Sequence, residues 1–152
     1  KGNTLILFQL VEKHGKGLYE IIRDKSKQGR EVFFVYGGVD AEQREKVREI
    51  TEKSNNAIIV ASYGTFSTGI NIRNLHNIIF ASPSKSRIRN LQSIGRGLRL
   101  GDNKVNATLY DIADDLQYKS KENFTLKHFQ ERINIYTEEE FDYEIHNINL
   151  KE

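Results

Sequence analysis

The sequence predicts an α/β protein built on an open, mainly parallel sheet with helices on both faces. Three observations carry this. Five short apolar runs recur before residue 114, helix-like stretches separate them, and the runs are near-continuously apolar rather than alternating. A strand buried on one face alternates apolar and polar side chains. A strand buried on both faces does not, and parallel sheets are where such strands collect.

The first run is TLILF, Thr4–Phe8. Leu18, Ile21 and Ile22 then mark a helix that Gly29 is placed to end, because glycine readily takes the left-handed conformation that closes helices. EVFFVY, Glu31–Tyr36, is the second strand. Asp40 and Gln43 have the spacing of a capping box. They open a charged helix to about Lys53, whose only apolar stripe is Val47 and Ile50, so it should be largely exposed. AIIVAS, Ala57–Ser62, and NIIFAS, Asn77–Ser82, are strands three and four, and Pro83, the single proline, ends the fourth. A further helix is expected over Lys85–Leu98, and ATLYDIA, Ala107–Ala113, makes a less purely apolar fifth strand. This alternation argues a doubly wound sheet, in which ligands gather beyond the carboxyl ends of the strands.

The end of the chain reads differently. Leu126, Phe129, Ile133 and Tyr136 recur at helical spacing. Phe141, Tyr143 and Ile145 then alternate, and Ile148 and Leu150 resume one step out of phase. A helix followed by a short edge strand or docked tail is expected. The predicted division is 1–120 for the α/β domain and 121–152 for a helix and tail packed on it. Tyr19, Tyr36, Phe129 and Tyr136 read as core residues.

Bulk properties narrow the function. The 152 residues carry 23 Lys and Arg against 21 Asp and Glu, a net charge of +2. That is too small to argue nucleic-acid binding by itself, so local clustering must carry the case. There are no cysteines, which excludes disulfides and thiolate metal sites. The four histidines, at 14, 76, 128 and 146, have no metal-ligand spacing. No apolar run approaches the ~20 residues of a membrane span, and no signal peptide is read, so a cytoplasmic location is expected. The chain contains no methionine, and the expectation is that it belongs to a longer protein.

The stretch QSIGRGLRL, Gln92–Leu100, concentrates the charge chemistry. On a helix of ~100° per residue, Arg89, Gln92, Arg96 and Arg99 share a face about 80° wide. Leu91, Ile94 and Leu98 fall opposite. Gly95 and Gly97 each cost roughly 1 kcal/mol in a helix relative to alanine, and glycine permits close approach by a ligand or another backbone. One reading is an ordinary solvated basic face with Gly95 packed on a neighbour. The other is that Arg96 and Arg99 reach a phosphate, whose oxygens the planar guanidinium grips in pairs.

These residues resemble a known family. QSIGRGLR is similar to motif VI, Q-x-x-G-R-x-x-R, of superfamily 2 helicases. ASYGTFSTGINI, Ala61–Ile72, resembles motif V, and LILFQLVEKHGKGL, Leu5–Leu18, resembles motif IV with its following helix. VYGGVDAEQRE, Val35–Glu45, resembles the glycine-containing turn after the second strand. The motifs stand in the family's order, each after its expected strand, and cover about Thr4–Asp115. Such helicases bind ATP between two RecA-like domains. This chain has neither the phosphate loop G-x-x-x-x-G-K-S/T nor an Asp-Glu pair after a strand, so the resemblance is to the second motor domain alone.

The resemblance implies roles. Arg99 would be the arginine finger on the γ-phosphate and Arg96 its partner, with Gln92, Gly69 and Asn71 near the nucleotide. Asn71 stands where many relatives carry Asp, which puts its contribution in question. ATP and Mg2+ would be held mainly by a first motor domain. Gly64 and Thr65 would offer an N–H and a hydroxyl to a strand's phosphate, or else Ser62–Gly69 caps a turn. Gly37 and Gly38 would do the same after strand two, or form a simple turn. Gln9, Lys13 and His14, with Lys85, Arg87 and Arg89, would extend a track that reads backbone rather than sequence. Each of these cations taken singly is also accounted for as a solvated surface charge. Tyr63 is the aromatic placed to stack on a base.

The implied parent is an ATP-dependent helicase acting on branched nucleic acid in recombination, fork and repair processes, with DNA or RNA–DNA hybrids and the first motor domain as partners and no membrane. Two rivals remain: a self-standing nucleic-acid-binding module without motor activity, and a metal-dependent nuclease on Asp111, Asp114 and Asp115. For those carboxylates a capping or salt-bridge role is the simpler account.

Overall fold

The computed structural model describes residues 2–26, 29–65, 72–81, 107–114 and 124–149. The chain divides into two compact units, Lys1–Ala113 and Asp114–Glu152.

The first unit is a single five-stranded parallel sheet. Its strands are β1 (Thr4–Phe8), β2 (Val32–Val35), β3 (Ile58–Ser62), β4 (Asn77–Phe80) and β5 (Thr108–Asp111), in the spatial order β2-β3-β1-β4-β5. Each strand lies within an apolar run. β1 and β3 are buried at every position, as expected where both faces of a parallel sheet are covered. Ile6, Phe8, Ile58 and Val60 form the core of one face, joined by Val32 and Phe34 of β2. On the other face Leu5, Leu7, Ile59 and Ile78 have no exposed surface.

Helix α1 (Lys16–Lys25) covers the first face with Leu18, Tyr19 and Ile22. Ile21, expected to join them, is 56% exposed, because its position rotates it away from the sheet. Tyr19 and Phe8 both stack on Phe34, at centroid distances of 5.1 and 5.6 Å. The helix ends at Ser26, earlier than the expected stop at Gly29. The Ser26 hydroxyl donates to the Ile22 carbonyl at 2.6 Å, satisfying a terminal carbonyl before glycine is required. Gly29 then takes its positive φ of 85° in the turn that follows.

Helix α2 (Ala41–Lys53) begins as its sequence dictates: the Asp40 carboxylate accepts from the Gln43 N–H at 2.8 Å. Only Thr51 is buried along it.

The amino edge of the sheet is locked by one side chain. Asn3 is fully buried. Its amide nitrogen donates to the carbonyls of Thr51 (2.9 Å), Ser54 (2.8 Å) and Asn74 (2.8 Å), and its oxygen accepts from the Ala57 N–H at 2.9 Å. The Asn3 backbone N–H donates to His76 Nδ1 at 3.0 Å, and its carbonyl accepts from the N–H groups of His76 and Asn77. Asn74 repeats the device, donating to the Ser54 carbonyl at 2.8 Å and the Glu52 carbonyl at 3.2 Å. The end of α2, the entry to β3 and the entry to β4 are thereby tied to the residue that precedes β1.

The second unit contains α3 (Phe124–Glu138), in which Arg132 and Tyr136 are buried. The Arg132 guanidinium lies over the Phe129 ring at 5.7 Å. Glu140 has a positive φ of 56°. The Phe141 N–H reaches back to the Tyr136 carbonyl at 2.9 Å and that of Glu140 to the Thr137 carbonyl at 3.2 Å. This is a Schellman closure with Glu where glycine is usual. The alternation from Phe141 suggested an edge strand, but residues 141–149 form none. The rings of Phe141 and Tyr143 lie instead 6.4 and 6.3 Å from that of Tyr136, drawn to it as the helix closes.

Two substitutions test these locks. Asn3→Ala strips partners from several buried backbone groups and should lower the unfolding free energy by about 3 kcal/mol in urea denaturation. Asn3→Asp should be no milder, since it aims a carboxylate oxygen at three carbonyls. Glu140→Gly relieves the left-handed strain and should raise stability by up to about 1 kcal/mol, read as a higher thermal midpoint.

Candidate functional site

Parallel pairing brings the described site segments, those after β1, β2 and β3, to one edge. Phe8 pairs with Ser62, Leu7 with Phe80, Val35 with Ala61 and Phe80 with Asp111. The chain therefore leaves β1 at Gln9, β2 at Tyr36–Gly38 and β3 at Tyr63–Thr65 from the same side. The connection from β1 runs towards β2 and that from β4 towards β5, on opposite flanks of the sheet. The topology thus reverses between β1 and β4, the kind of crevice where open α/β sheets bind ligands. Residues 82–106 link β4 to β5. They carry Lys85, Arg87, Arg89, Gln92, Arg96 and Arg99, and they lie outside the described residues, as do the expected helix Lys85–Leu98, Gly69, Asn71 and Asp115.

The exit from β1 is a π-helical turn, Val11–Gly15, running directly into α1. The Gly15 N–H bonds to the Leu10 carbonyl at 2.9 Å, and the Lys16 N–H bonds to the Val11 carbonyl. These bonds span five residues instead of the α-helix's four, and such turns are frequent at functional sites. A Cβ on Gly15 would stand 2.3 Å from the Phe8 ring, so only glycine fits there. Lys16 and Glu12 form an ion pair at 2.7 Å, and the hydrogen bond to the carboxylate holds the Lys16 ammonium above its ordinary range. Lys13 is exposed with no ion-pair partner among the described residues, His14 is half-buried, and Leu10 is 53% exposed beside Gln9. The sequence reading missed the wide turn and the seat of Gly15. The available signal was a glycine inside an otherwise helix-like run.

At the exit from β2, the Val39 N–H donates to the Tyr36 carbonyl at 2.9 Å, closing a tight turn over Gly37 and Gly38. Both glycines are exposed. A Cβ on Gly38 would stand 2.7 Å from the Tyr36 ring, whereas one on Gly37 would meet nothing.

At the exit from β3 two expectations change. Tyr63, expected to offer a stacking face, is only 4% exposed and packs against Phe80 at a centroid distance of 5.8 Å. The chain turns helical as soon as β3 ends, which directs the ring back onto the sheet. Thr65 is likewise buried, with its hydroxyl 2.8 Å from that of Ser62. This pairing ties the end of β3 to the first residues of the helical turn that follows it. Gly64 is exposed between them. Asp111 stands at the end of β5 on the same edge, and the Asp114 carbonyl accepts from the Thr125 hydroxyl at 2.8 Å. Among the described residues no three His, Asp or Glu side chains are grouped to hold a metal ion, and no helix is long and apolar enough to cross a membrane.

A five-stranded parallel sheet in the order β2-β3-β1-β4-β5, with its turns leaving one edge, is a RecA-like α/β fold. Residues 1–101 match the family described as helicase conserved C-terminal domain, and the chain belongs to that family. Within it, the chain is 38% identical over 158 residues to the ATP-dependent DNA helicase UvsW of Enterobacteria phage T4. That match covers 97% of this chain and 31% of the relative, so the chain spans about a third of the protein it resembles. The crystal structure of T4 UvsW superposes with a TM-score of 0.72 at 39% identity, over 92% of this chain and 30% of that one. Domain 2 of the DEAD-box helicase Mss116p, solved with an RNA duplex, superposes at 0.60 and 18% identity, over 75% of this chain and 43% of that one, and shares the RecA-like fold.

The burial of Tyr63 generates a prediction. Tyr63→Ala should cost about 3 kcal/mol in denaturant unfolding, by opening a cavity against Phe80. Tyr63→Phe should leave single-stranded DNA affinity unchanged in fluorescence anisotropy, whereas a base-stacking residue would show its larger loss there in the alanine variant at equal folded fraction.

Proposed function

We propose that the chain works as the second motor domain of an ATP-dependent DNA helicase that acts on branched substrates in recombination and repair. The observation that carries this reading is the common edge: the motif IV and motif V sequences leave the carboxyl ends of parallel strands β1 and β3, and β4, the strand that precedes the motif VI sequence, ends on that edge as well. The similarity to T4 UvsW along nearly the whole chain supports DNA as the track.

In this reading ATP and Mg2+ sit mainly on a first motor domain, and this domain closes over them. Arg99 reaches the γ-phosphate and Arg96 neutralises the same phosphate or a facing carboxylate. Gln92, Gly69 and Asn71 line the nucleotide side. Charge spreads over the phosphoryl oxygens as they transfer, and an arginine delivered from another unit meets that charge only on closure. Hydrolysis is thereby tied to movement. Gln9, Lys13, His14, Gly37, Gly38 and Gly64, with Lys85, Arg87 and Arg89, form this domain's half of a groove for one strand's backbone. Thr65 holds the shape of the motif V turn from inside.

The test is steady-state ATP hydrolysis with single-stranded DNA in the full-length protein. Arg99→Ala should lower kcat by about 10³ while the KM for ATP changes only a few-fold. The isolated chain should show no turnover above background. Turnover by the isolated chain that Arg99→Ala abolishes would overturn the proposal.

A further inference from the structure

The π-helical turn at Val11–Gly15 deserves a function of its own, because a regular α-turn would connect β1 to α1 with one residue fewer and without the wider hydrogen-bonded ring. Two features hold the turn. Gly15 is buried flat against the Phe8 ring, where a methyl group would collide with three ring carbons. Phe8 itself stacks on Phe34, which Tyr19 also covers. The turn is therefore gripped between a core ring below and the first residues of α1 beyond it.

Its charges are sorted as well. The turn and the residue after it contain one carboxylate, Glu12, and that group is taken by Lys16 at 2.7 Å. Lys13 is exposed and, among the described residues, has no ion-pair partner, with Gln9 and the exposed Leu10 immediately before the turn.

We propose that the π-helical turn is a positioning device for the nucleic-acid groove: Gly15, seated on Phe8, fixes the backbone so that Lys13 meets a strand's phosphate, while Lys16 screens the carboxylate that would repel it. Gly15 and Phe8 are positioning residues and touch no nucleic acid. The inference rests on the groove proposed above and adds what sets its geometry.

Two glycines two residues apart provide the test. A Cβ on Gly17 would meet nothing within 4 Å, in contrast to Gly15. The DNA-dependence of ATP hydrolysis is measured in the full-length protein alongside thermal melting. Gly15→Ala should raise the DNA concentration for half-maximal stimulation about tenfold, the weight of one displaced phosphate contact. The DNA-free rate should stay within about twofold, since Gly15 is not among the residues proposed to meet the nucleotide. Gly17→Ala should leave the DNA requirement unchanged and melt higher, as alanine favours the helix. Adding Phe8→Leu to Gly15→Ala opens room under the turn and should bring the DNA requirement back towards that of Phe8→Leu alone. This comparison also serves if Gly15→Ala alone does not fold. A folded Gly15→Ala protein with an unchanged DNA requirement would sink the inference, as would a double variant no better than Gly15→Ala. Full DNA-stimulated hydrolysis by Arg99→Ala would instead sink the motor reading on which it rests, so the two failures are separable.

Discussion

Everything in the α/β unit hangs on the amide of Asn3. A parallel sheet has no hairpins to set its register, so the strands must be aligned by contacts distant in sequence. Asn3 supplies that alignment at the point where β1, β3 and β4 begin. Its nitrogen takes up carbonyls left over at the end of α2 and in the loop before β4, and its oxygen holds the N–H that precedes β3. Each of those groups lies in a place where water cannot replace the lost partner cheaply. A small polar side chain with both donor and acceptor is what this junction requires, and an apolar one of similar size cannot serve.

The opposite edge follows from the same alignment. Once β1 and β3 are in register, Gln9 and Tyr63 leave the sheet at one level, and Gly37 and Gly64 come to the same side. The aromatic column of Phe8, Phe34 and Tyr19 then carries the order upward, because Phe8 is both a core residue of β1 and the floor beneath Gly15. Packing in the core and the course of the surface turn are one continuous constraint.

How much of this could be read in the sequence depended on the range of each interaction. The strands were legible because burial on both faces leaves an apolar run with no alternation, and the Asp40–Gln43 cap was legible because it acts over three residues. The Asn3 and Asn74 latch was not, since its partners lie 48 to 71 residues from Asn3 and asparagine looks like any other polar residue before a strand. Tyr63 was misjudged for a related reason. Position just past a strand tells where a residue is, but the immediate helical turn decides which way its ring points. Gly15 stood out only as one residue of the stretch resembling motif IV, because the ring that demands a glycine there sits on the preceding strand. The family was legible through its motifs, patterns of chemistry along the chain that need no tertiary contact to be recognised.

The separation of latch and site has a consequence for how such a domain diverges. The residues that decide whether the sheet assembles are gathered at its amino edge, and those proposed to meet phosphate leave from the carboxyl edge. Natural variation at the second set is therefore only weakly penalised through loss of the fold. A lineage can retune its grip on nucleic acid by exchanging Lys13, Gln9 or Gly64 while the alignment of strands is inherited intact. The exception is Gly15, where the two economies meet: it lies on the working edge but answers to the core, so its drift is limited by the ring beneath it.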